Sequence, residues 1–190
     1  MILFVRHHKY LTPIVILIIA LFSCKSSKSH HSATENKYNY KKEKGVLIGK
    51  IPLSEIQDND IDFKWFSKNY KKYVVKQEII LNVKEELNNI NIDVYLGTWC
   101  DDTKRMLPKF IKILDFLNYD TNKINFIALN RQKKGIKQIN KKLNITNVPT
   151  IIFYKNNKEI NRIVENHVIS LESDIKNILS LNNYAHSLSE

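Results

Sequence analysis

Cysteine and glycine are scarce in this 190-residue chain, and their scarcity excludes several kinds of site. Two cysteines are present, Cys24 at the end of an apolar segment and Cys100 in the middle of the chain. A disulfide framework within the folded part and a cysteine-ligated zinc site both need more thiols. The four glycines form no glycine-rich loop of the kind that cradles phosphate. We therefore expect no disulfide inside the domain. Because only Cys100 and the scattered His167 and His186 remain there as candidate zinc ligands, we also expect no metal site.

Long apolar runs are also absent. The apolar run Leu11–Phe22 has twelve residues, whereas a membrane-spanning helix needs about 20. It follows Arg6 and Lys9 in a stretch without acidic residues, which is the pattern of a secretory signal. The sequence therefore predicts that residues 1–23 direct export.

The end of this segment, Leu21-Phe22-Ser23-Cys24, resembles the cleavage box of bacterial lipoproteins. The resemblance implies that Cys24 becomes the lipidated first residue of the mature chain, held at the membrane by several acyl chains. An uncleaved signal anchor and a simple secreted protein are the alternatives. The Asn-, Lys- and Ile-rich composition resembles that of a Bacteroidota-type source. Because Lys25 and Ser26 replace the aspartate that often retains lipoproteins at the inner membrane, we expect an outer-membrane anchor with the domain facing the periplasm.

More than half of the net charge of +11 lies before Pro52, and the segment 24–50 contributes +5. From Pro52 onward there are 21 basic and 17 acidic residues, a net charge of +4. Residues Lys25–Lys44 have almost no aliphatic side chains, so they cannot bury enough surface to fold. We predict a flexible tether over 24–50. We predict no nucleic-acid partner, because no basic helix or aromatic–basic ladder is present.

Residues 51–184 alternate helical and strand patterns, and we predict that they form one domain followed by a disordered tail over 185–190. Asn156-Asn157 predicts a two-residue hairpin turn, since asparagine tolerates positive φ. Ser170 is a candidate N-cap. The predicted elements are helices 60–73 and 77–87, strand 90–96, helix 101–117, strand 123–129, helix 135–143, strands 150–154 and 159–164, and helix 171–181. This order predicts a mixed sheet covered by helices on both faces.

The segment Thr98–Lys104 resembles the active-site motif of the thioredoxin family. In that family Trp-Cys-x-x-Cys lies between a buried strand and a helix, and here the motif is Trp99-Cys100-Asp101-Asp102-Thr103. Pro108 matches the proline that kinks this helix, and Val148-Pro149-Thr150 resembles the family's cis-proline loop. The resemblance covers about residues 89–181. It implies an α/β thioredoxin-like fold with extra N-terminal helices.

Three departures from the family pattern limit the activity that the resemblance implies. The second cysteine is replaced by Thr103, so an intramolecular disulfide cannot form at this motif. The buried acid usually found six residues before the first cysteine is Val94, with Asp93 expected on another face. The glycine that usually follows the last strand is Glu165.

Cys100 at the start of a helix faces unpaired backbone N–H groups, which favour a reactive thiolate. Thr103 lies three residues further on, where its hydroxyl is placed to donate a hydrogen bond to that thiolate. We expect Asp101 and Asp102 to accept hydrogen bonds from first-turn N–H groups. A lone thiolate can attack a disulfide, but an external thiol must then release the mixed disulfide.

These features predict a site in which Cys100 and Thr103 carry the chemistry. The resemblance implies that substrate backbone binds beside them as an added strand, in a groove lined by Trp99, Val148, Pro149 and Glu165. The implied function is monothiol thiol–disulfide exchange by a monomer acting on cysteine-containing envelope proteins or small thiols. No resident cofactor is expected, and glutathione or another low-molecular-weight thiol would be the co-substrate. The alternative is a non-catalytic thioredoxin-like binding or scaffold module.

Overall fold

A six-stranded sheet forms the centre of the computed structural model, which describes residues 37–135 and 142–189. The strands lie in the order β1-β2-β4-β3-β5-β6. Their bounds are Asn39–Glu43 (β1), Val46–Ile51 (β2), Ile90–Leu96 (β3), Asn125–Ala128 (β4), Thr150–Lys155 (β5) and Lys158–Val164 (β6).

The sheet is mixed, as the order of predicted elements indicated. β3 and β4 are parallel, and β3 pairs with β5 in the antiparallel direction. β5 and β6 form an antiparallel hairpin whose turn residues, Asn156 and Asn157, have φ values of 52° and 61°. Two successive positive φ angles are typical of the tight hairpin turn predicted from this asparagine pair.

The longest described helix packs against one face of the sheet and follows β3 directly. The helices are Ser54–Gln57 (α1), Lys64–Lys72 (α2), Gln77–Ile80 (α3), Lys84–Asn88 (α4), Asp101–Phe116 (α5) and Leu171–Leu179 (α6). Buried residues of α5 such as Phe110 and Leu114 join β3 residues such as Ile92 and Val94 in the main hydrophobic cluster. Ser170 caps α6 as predicted, since its hydroxyl accepts a hydrogen bond from the N–H of Ser173 at 3.2 Å.

A hairpin at the start of the described chain corrects the predicted tether over 24–50. β1 and β2 are joined at Lys44 and Gly45, both of which have positive φ, and β2 pairs with β4 in the antiparallel direction. Leu47 and Ile51 are fully buried. The folded part therefore begins before residue 51, because the short apolar run Val46-Leu47-Ile48 and Ile51 place β2 in the sheet.

The C-terminal residues also differ from the disordered tail predicted over 185–190. The hydroxyl of Ser187 donates a 2.7 Å hydrogen bond to the carbonyl of Val164 at the end of β6. Just before the tail, the backbone carbonyl of Tyr184 accepts a 2.8 Å bond from Asn161. Hydrogen bonds hold this segment beside the edge strand β6, together with packing of Tyr184 against the main hydrophobic cluster.

Several predictions about secondary structure need adjustment or fall outside the described ranges. The helix predicted over 77–87 is broken into α3, a 3₁₀ turn at Leu81–Val83, and α4. The helix predicted over 135–143 falls mostly on residues 136–141, outside the described residues, as do the export signal and Cys24. Within the described ranges, no helix is both long enough and apolar enough to cross a membrane.

Candidate functional site

Cys100 lies at the junction of β3 and α5, where it is the N-cap residue of the helix with φ −86° and ψ 129°. Its N–H donates to the carbonyl of Gly97 at 2.9 Å, and its carbonyl accepts from the N–H of Lys104 at 3.1 Å. The side chain is partly exposed. The tight turn after β3 thus places the sulfur at the N-terminus of α5.

The loop before β5 supplies the neighbour of this sulfur. The Val148–Pro149 peptide bond is cis, as the resemblance implied. The thiol of Cys100 donates to the carbonyl oxygen of Val148, with Sγ and O 3.1 Å apart. Thr150 ties the loop to itself, because its hydroxyl donates to the carbonyl of Asn147 at 2.7 Å. Cys100 and Pro149 are therefore brought together as predicted.

Trp99, next to Cys100, packs against the small hydrophobic cluster that contains Val148. Its indole N–H donates a 2.9 Å hydrogen bond to the carbonyl of Leu129, and the guanidinium of Arg131 lies 5.2 Å from the ring centroid. A Cβ added at Gly97 would come within 2.7 Å of the indole. Glycine is therefore required at position 97 for Trp99 to adopt this position.

Thr103 makes no hydrogen bond with the thiol, so the predicted bond to Cys100 is wrong. Its side chain is fully buried, and its hydroxyl oxygen accepts a 3.3 Å hydrogen bond from the N–H of Gly97. The hydroxyl points back toward the end of β3 because the Gly97 N–H needs a buried acceptor there. Thr103 therefore stabilises the turn that presents Cys100.

The two aspartates after Cys100 pair with cations one turn further along α5. Lys104 lies 2.8 Å from the Asp101 carboxylate, and Arg105 contacts Asp102. The Lys104 hydrogen bond is the main reason that the pKa of Asp101 lies below its ordinary value. The carboxylates accept hydrogen bonds from these two cations and not from first-turn N–H groups, so the expectation that they satisfy those N–H groups is wrong. Each acidic charge is offset by a neighbouring cation.

Glu165, directly after β6, contacts the cis-proline loop twice. Its N–H donates to the carbonyl of Pro149 at 2.8 Å, and its carboxylate accepts from the side-chain amide of Asn147 at 2.8 Å. Its φ is +57°, a left-handed conformation that costs a residue with a Cβ roughly 1–2 kcal/mol. The residue lies beside Pro149, in the region where the resemblance placed it.

Asp93 in β3 lies on the opposite face of the sheet from Val94, as expected. Val94 is fully buried in the main core, while its neighbour Asp93 accepts a 2.7 Å hydrogen bond from the Asn125 side chain. Burial raises the pKa of Asp93, although Asn125 and Lys50 act in the opposite direction. Asp93 and Val94 alternate across β3, so Asp93 is directed away from the core that Val94 joins.

Sequence reasoning missed two polar residues at the site. Asn147 binds Glu165, and Asn166 accepts a long 3.5 Å hydrogen bond from Arg105 in the first turns of α5. The only sequence signal was their closeness to Pro149 and Glu165. Among residues 37–135 and 142–189, no group of three or more His, Cys, Asp or Glu side chains is arranged to hold a metal ion.

Comparisons with known proteins place this geometry in a family context. Residues 67–177 match the thioredoxin family. A thioredoxin-like protein of Acanthamoeba polyphaga mimivirus is 29% identical over 110 residues, which are 55% of this chain and 77% of the viral protein.

Two solved structures illustrate the structural likeness. A protein of unknown function from Pseudomonas aeruginosa aligns with a TM-score of 0.49 and 12% identity, over 70% of this chain and 91% of its own. Fasciola hepatica thioredoxin aligns with a TM-score of 0.35 and 17% identity, over 52% of this chain and 85% of its own. The family match above includes Cys100, Pro149 and Glu165.

Proposed function

This chain belongs to the thioredoxin family, and we propose that it performs thiol–disulfide exchange through the single thiol of Cys100. Membership of the family confirms the predicted α/β thioredoxin-like fold and indicates thiol–disulfide redox chemistry in general terms. The observation that carries the more specific proposal is the 3.1 Å contact between Cys100 Sγ and the carbonyl of Val148, beside a cis-proline.

The proposed reaction consists of two exchange steps with no net oxidation. The Cys100 thiolate attacks one sulfur of a substrate disulfide, forming a mixed disulfide and releasing the other sulfur as a thiolate. An external thiolate then attacks the substrate sulfur of that mixed disulfide, forming a new disulfide and releasing the Cys100 thiolate. Glutathione or another low-molecular-weight thiol fits the second role.

The burial of Thr103 supports a monothiol route. A second thiol at this position would release the mixed disulfide from within the protein, but Thr103 has a hydroxyl that is engaged with Gly97. Within the described residues, Cys100 is the single cysteine, and it is free. The mixed disulfide at Cys100 must therefore be resolved by a thiol from outside the domain. This requirement favours disulfide isomerisation or removal of glutathione over net reduction of substrates.

The loop that contacts Cys100 supports binding of extended polypeptide. Backbone groups beside a cis-proline can pair with an added strand, which gives affinity without dependence on side-chain sequence. In this proposal the substrate's backbone replaces the thiol as partner of the Val148 carbonyl, while Trp99 and Pro149 flank the reacting sulfur. The thiol is then free to ionise and attack.

We place this activity at the cell envelope on the strength of the N-terminal sequence. A lipid on Cys24 would hold the domain at the membrane, facing the periplasm and its cysteine-containing proteins, with the outer membrane favoured. Metabolic labelling with a radioactive fatty acid tests the anchor. Label is expected in the wild-type chain and absent from Cys24→Ser, and equal labelling would refute the anchor.

Incubation with a glutathionylated peptide tests the reaction. Mass spectrometry is expected to detect a glutathione adduct on wild type and none on Cys100→Ser. Free glutathione should then restore the unmodified protein. Binding of the peptide without any adduct would support the binding-module alternative instead. Thr103→Ser, which keeps the hydroxyl, is the matched control for folding.

A further inference from the structure

Glu165 makes its two hydrogen bonds with the same loop. Its N–H binds the carbonyl of Pro149 and its carboxylate binds the side-chain amide of Asn147, each at 2.8 Å. These partners flank Val148, whose carbonyl accepts the hydrogen bond from Cys100. Glu165 therefore holds the loop on both sides of the peptide group that meets the thiol.

The backbone of Glu165 indicates which of the two bonds requires a glutamate. At φ +57° glycine is unstrained, whereas a residue with a Cβ is disfavoured. Glycine at this position would keep the N–H bond to Pro149 and avoid the strain. It would lose only the carboxylate bond to Asn147, so that bond is what the glutamate adds.

The exposure of Glu165 and Asn147 fits a bond that adjusts the loop rather than one that supports the core. Glu165 is half-buried, and Asn147 is likewise only part-buried in the loop. Val148, between the two contact points, is buried and packs in the small cluster with Tyr95 and Leu129. Fixing Asn147 from one side and Pro149 from the other limits rotation of the Val148 peptide.

We propose that Glu165 is a positioning residue that holds the Val148 carbonyl at Cys100 through its bond to Asn147. The effect on rate rests on the exchange function proposed above, whereas the effect on the loop does not. A glutamine at this position keeps an oxygen that accepts from Asn147, so Glu165→Gln should preserve the arrangement. Glu165→Gly should release it while relieving backbone strain.

Hydrogen–deuterium exchange in the full-length chain tests the loop directly. In Glu165→Gly the amides of Asn147 and Val148 are expected to exchange faster than in wild type, although the melting temperature stays equal or rises. Glu165→Gln should match wild type, and so should Glu85→Gln, which changes an exposed glutamate on α4. Unchanged exchange in Glu165→Gly would overturn the proposal.

Kinetics with the glutathionylated peptide test the consequence for chemistry. Small misplacements of reacting groups are costly, and the Val148 carbonyl also binds substrate backbone in the proposed function. Glu165→Gly is therefore expected to lower kcat/KM by roughly tenfold. Asn147→Ala should have the same effect, and the double variant should be no slower than either single one. Wild-type rates in Glu165→Gly would overturn the proposal. Absence of exchange in wild type would instead refute the proposed function, and hydrogen exchange would still decide the role of Glu165.

Discussion

The side-chain amide of Asn69 on α2 donates a 2.9 Å hydrogen bond to the carbonyl of Lys104 on α5. In a regular helix that carbonyl would accept from the N–H four residues later, but the residue there is Pro108, which has none. α2 therefore supplies the donor that α5 lacks. This contact explains how a proline is accommodated within the helix that begins at the reactive thiol.

Asn69→Ala should lower the free energy of unfolding by about 1–3 kcal/mol, because it leaves the Lys104 carbonyl without a donor. In a Pro108→Ala background the same substitution should cost much less, since Ala restores the backbone N–H. Urea unfolding of the four chains measures this coupling. Asn88→Ala, at an exposed position, is the control. Equal losses in both backgrounds would show that Asn69 stabilises the protein by another route.

Thr103→Cys should convert the single-thiol site into a dithiol one. Position 103 is fully buried and one turn from Cys100, so the new thiol would lie near the first and replace the acceptor for Gly97 with a weaker one. We expect the variant to reduce insulin disulfides in a turbidity assay with dithiothreitol, and wild type to be much slower. Thr103→Ser should remain as slow as wild type. If the cysteine variant is equally slow, the groove itself is unsuited to reduction.

Asp93→Asn should stabilise the protein at neutral pH. Burial raises the pKa of Asp93, so the folded state binds its proton more tightly than the unfolded state does. Stability contributed by this group therefore falls as pH rises from the ordinary aspartate pKa through the raised folded value. Asparagine avoids this loss and keeps an oxygen for Asn125.

Urea unfolding at a series of pH values measures the effect of Asp93. The advantage of Asp93→Asn over wild type should be largest at neutral pH. It should shrink as the pH is lowered through the raised folded pKa toward the ordinary aspartate pKa. Asp58→Asn, at an exposed position, is the matched control. An advantage that is constant with pH would contradict the prediction.

Tyr184→Phe should destabilise the protein by about 1.5–3 kcal/mol, the usual range for a hydrogen bond to a charged group. The Tyr184 hydroxyl donates to the carboxylate of Asp174 at 2.9 Å, and Asp174 is fully buried. The same carboxylate accepts from the N–H groups of Val168 and Ile169, so loss of the tyrosine weakens the start of α6 as well. Thermal unfolding measures the loss, with Tyr38→Phe as control. Unchanged stability would mean that the segment near the C-terminus does not pack in solution as described.

The parts of the fold that could be predicted from sequence are those in which apolar residues recur with a clear helix or strand period. β3 lies at the predicted residues, and α5 ends one residue before its predicted end, because each has a continuous apolar face. The N-terminal hairpin was missed because β1 is mostly polar and exposed. Its place in the sheet depends on β2 meeting β4, a contact between residues far apart in sequence.

The candidate site shows the same division between local and distant information. Cys100 and Pro149 could be found from motif spacing, and the cis peptide followed from the family resemblance. The hydroxyl of Thr103 could not be oriented from sequence, since its partner depends on the turn at Gly97. Asn69 and Asn147 bind residues that are 35 and 18 positions away in sequence. Local sequence patterns therefore could not predict these contacts.

The chain enters the sheet through β1, so a pulling force on the N-terminal residues would act first on this strand. β1 lies at the sheet edge and is paired with β2 from Asn39 opposite Lys50 to Glu43 opposite Val46. Because β1 pairs on one side only, its hydrogen bonds to β2 are the first in the sheet to bear a pull on the residues before Asn39. The N–H of Leu47 in β2 is bonded to the Thr98 hydroxyl, two residues from Cys100. If β1 separated under such a pull, β2 would still be paired with β4, so the turn that carries Cys100 would keep its contact with the sheet.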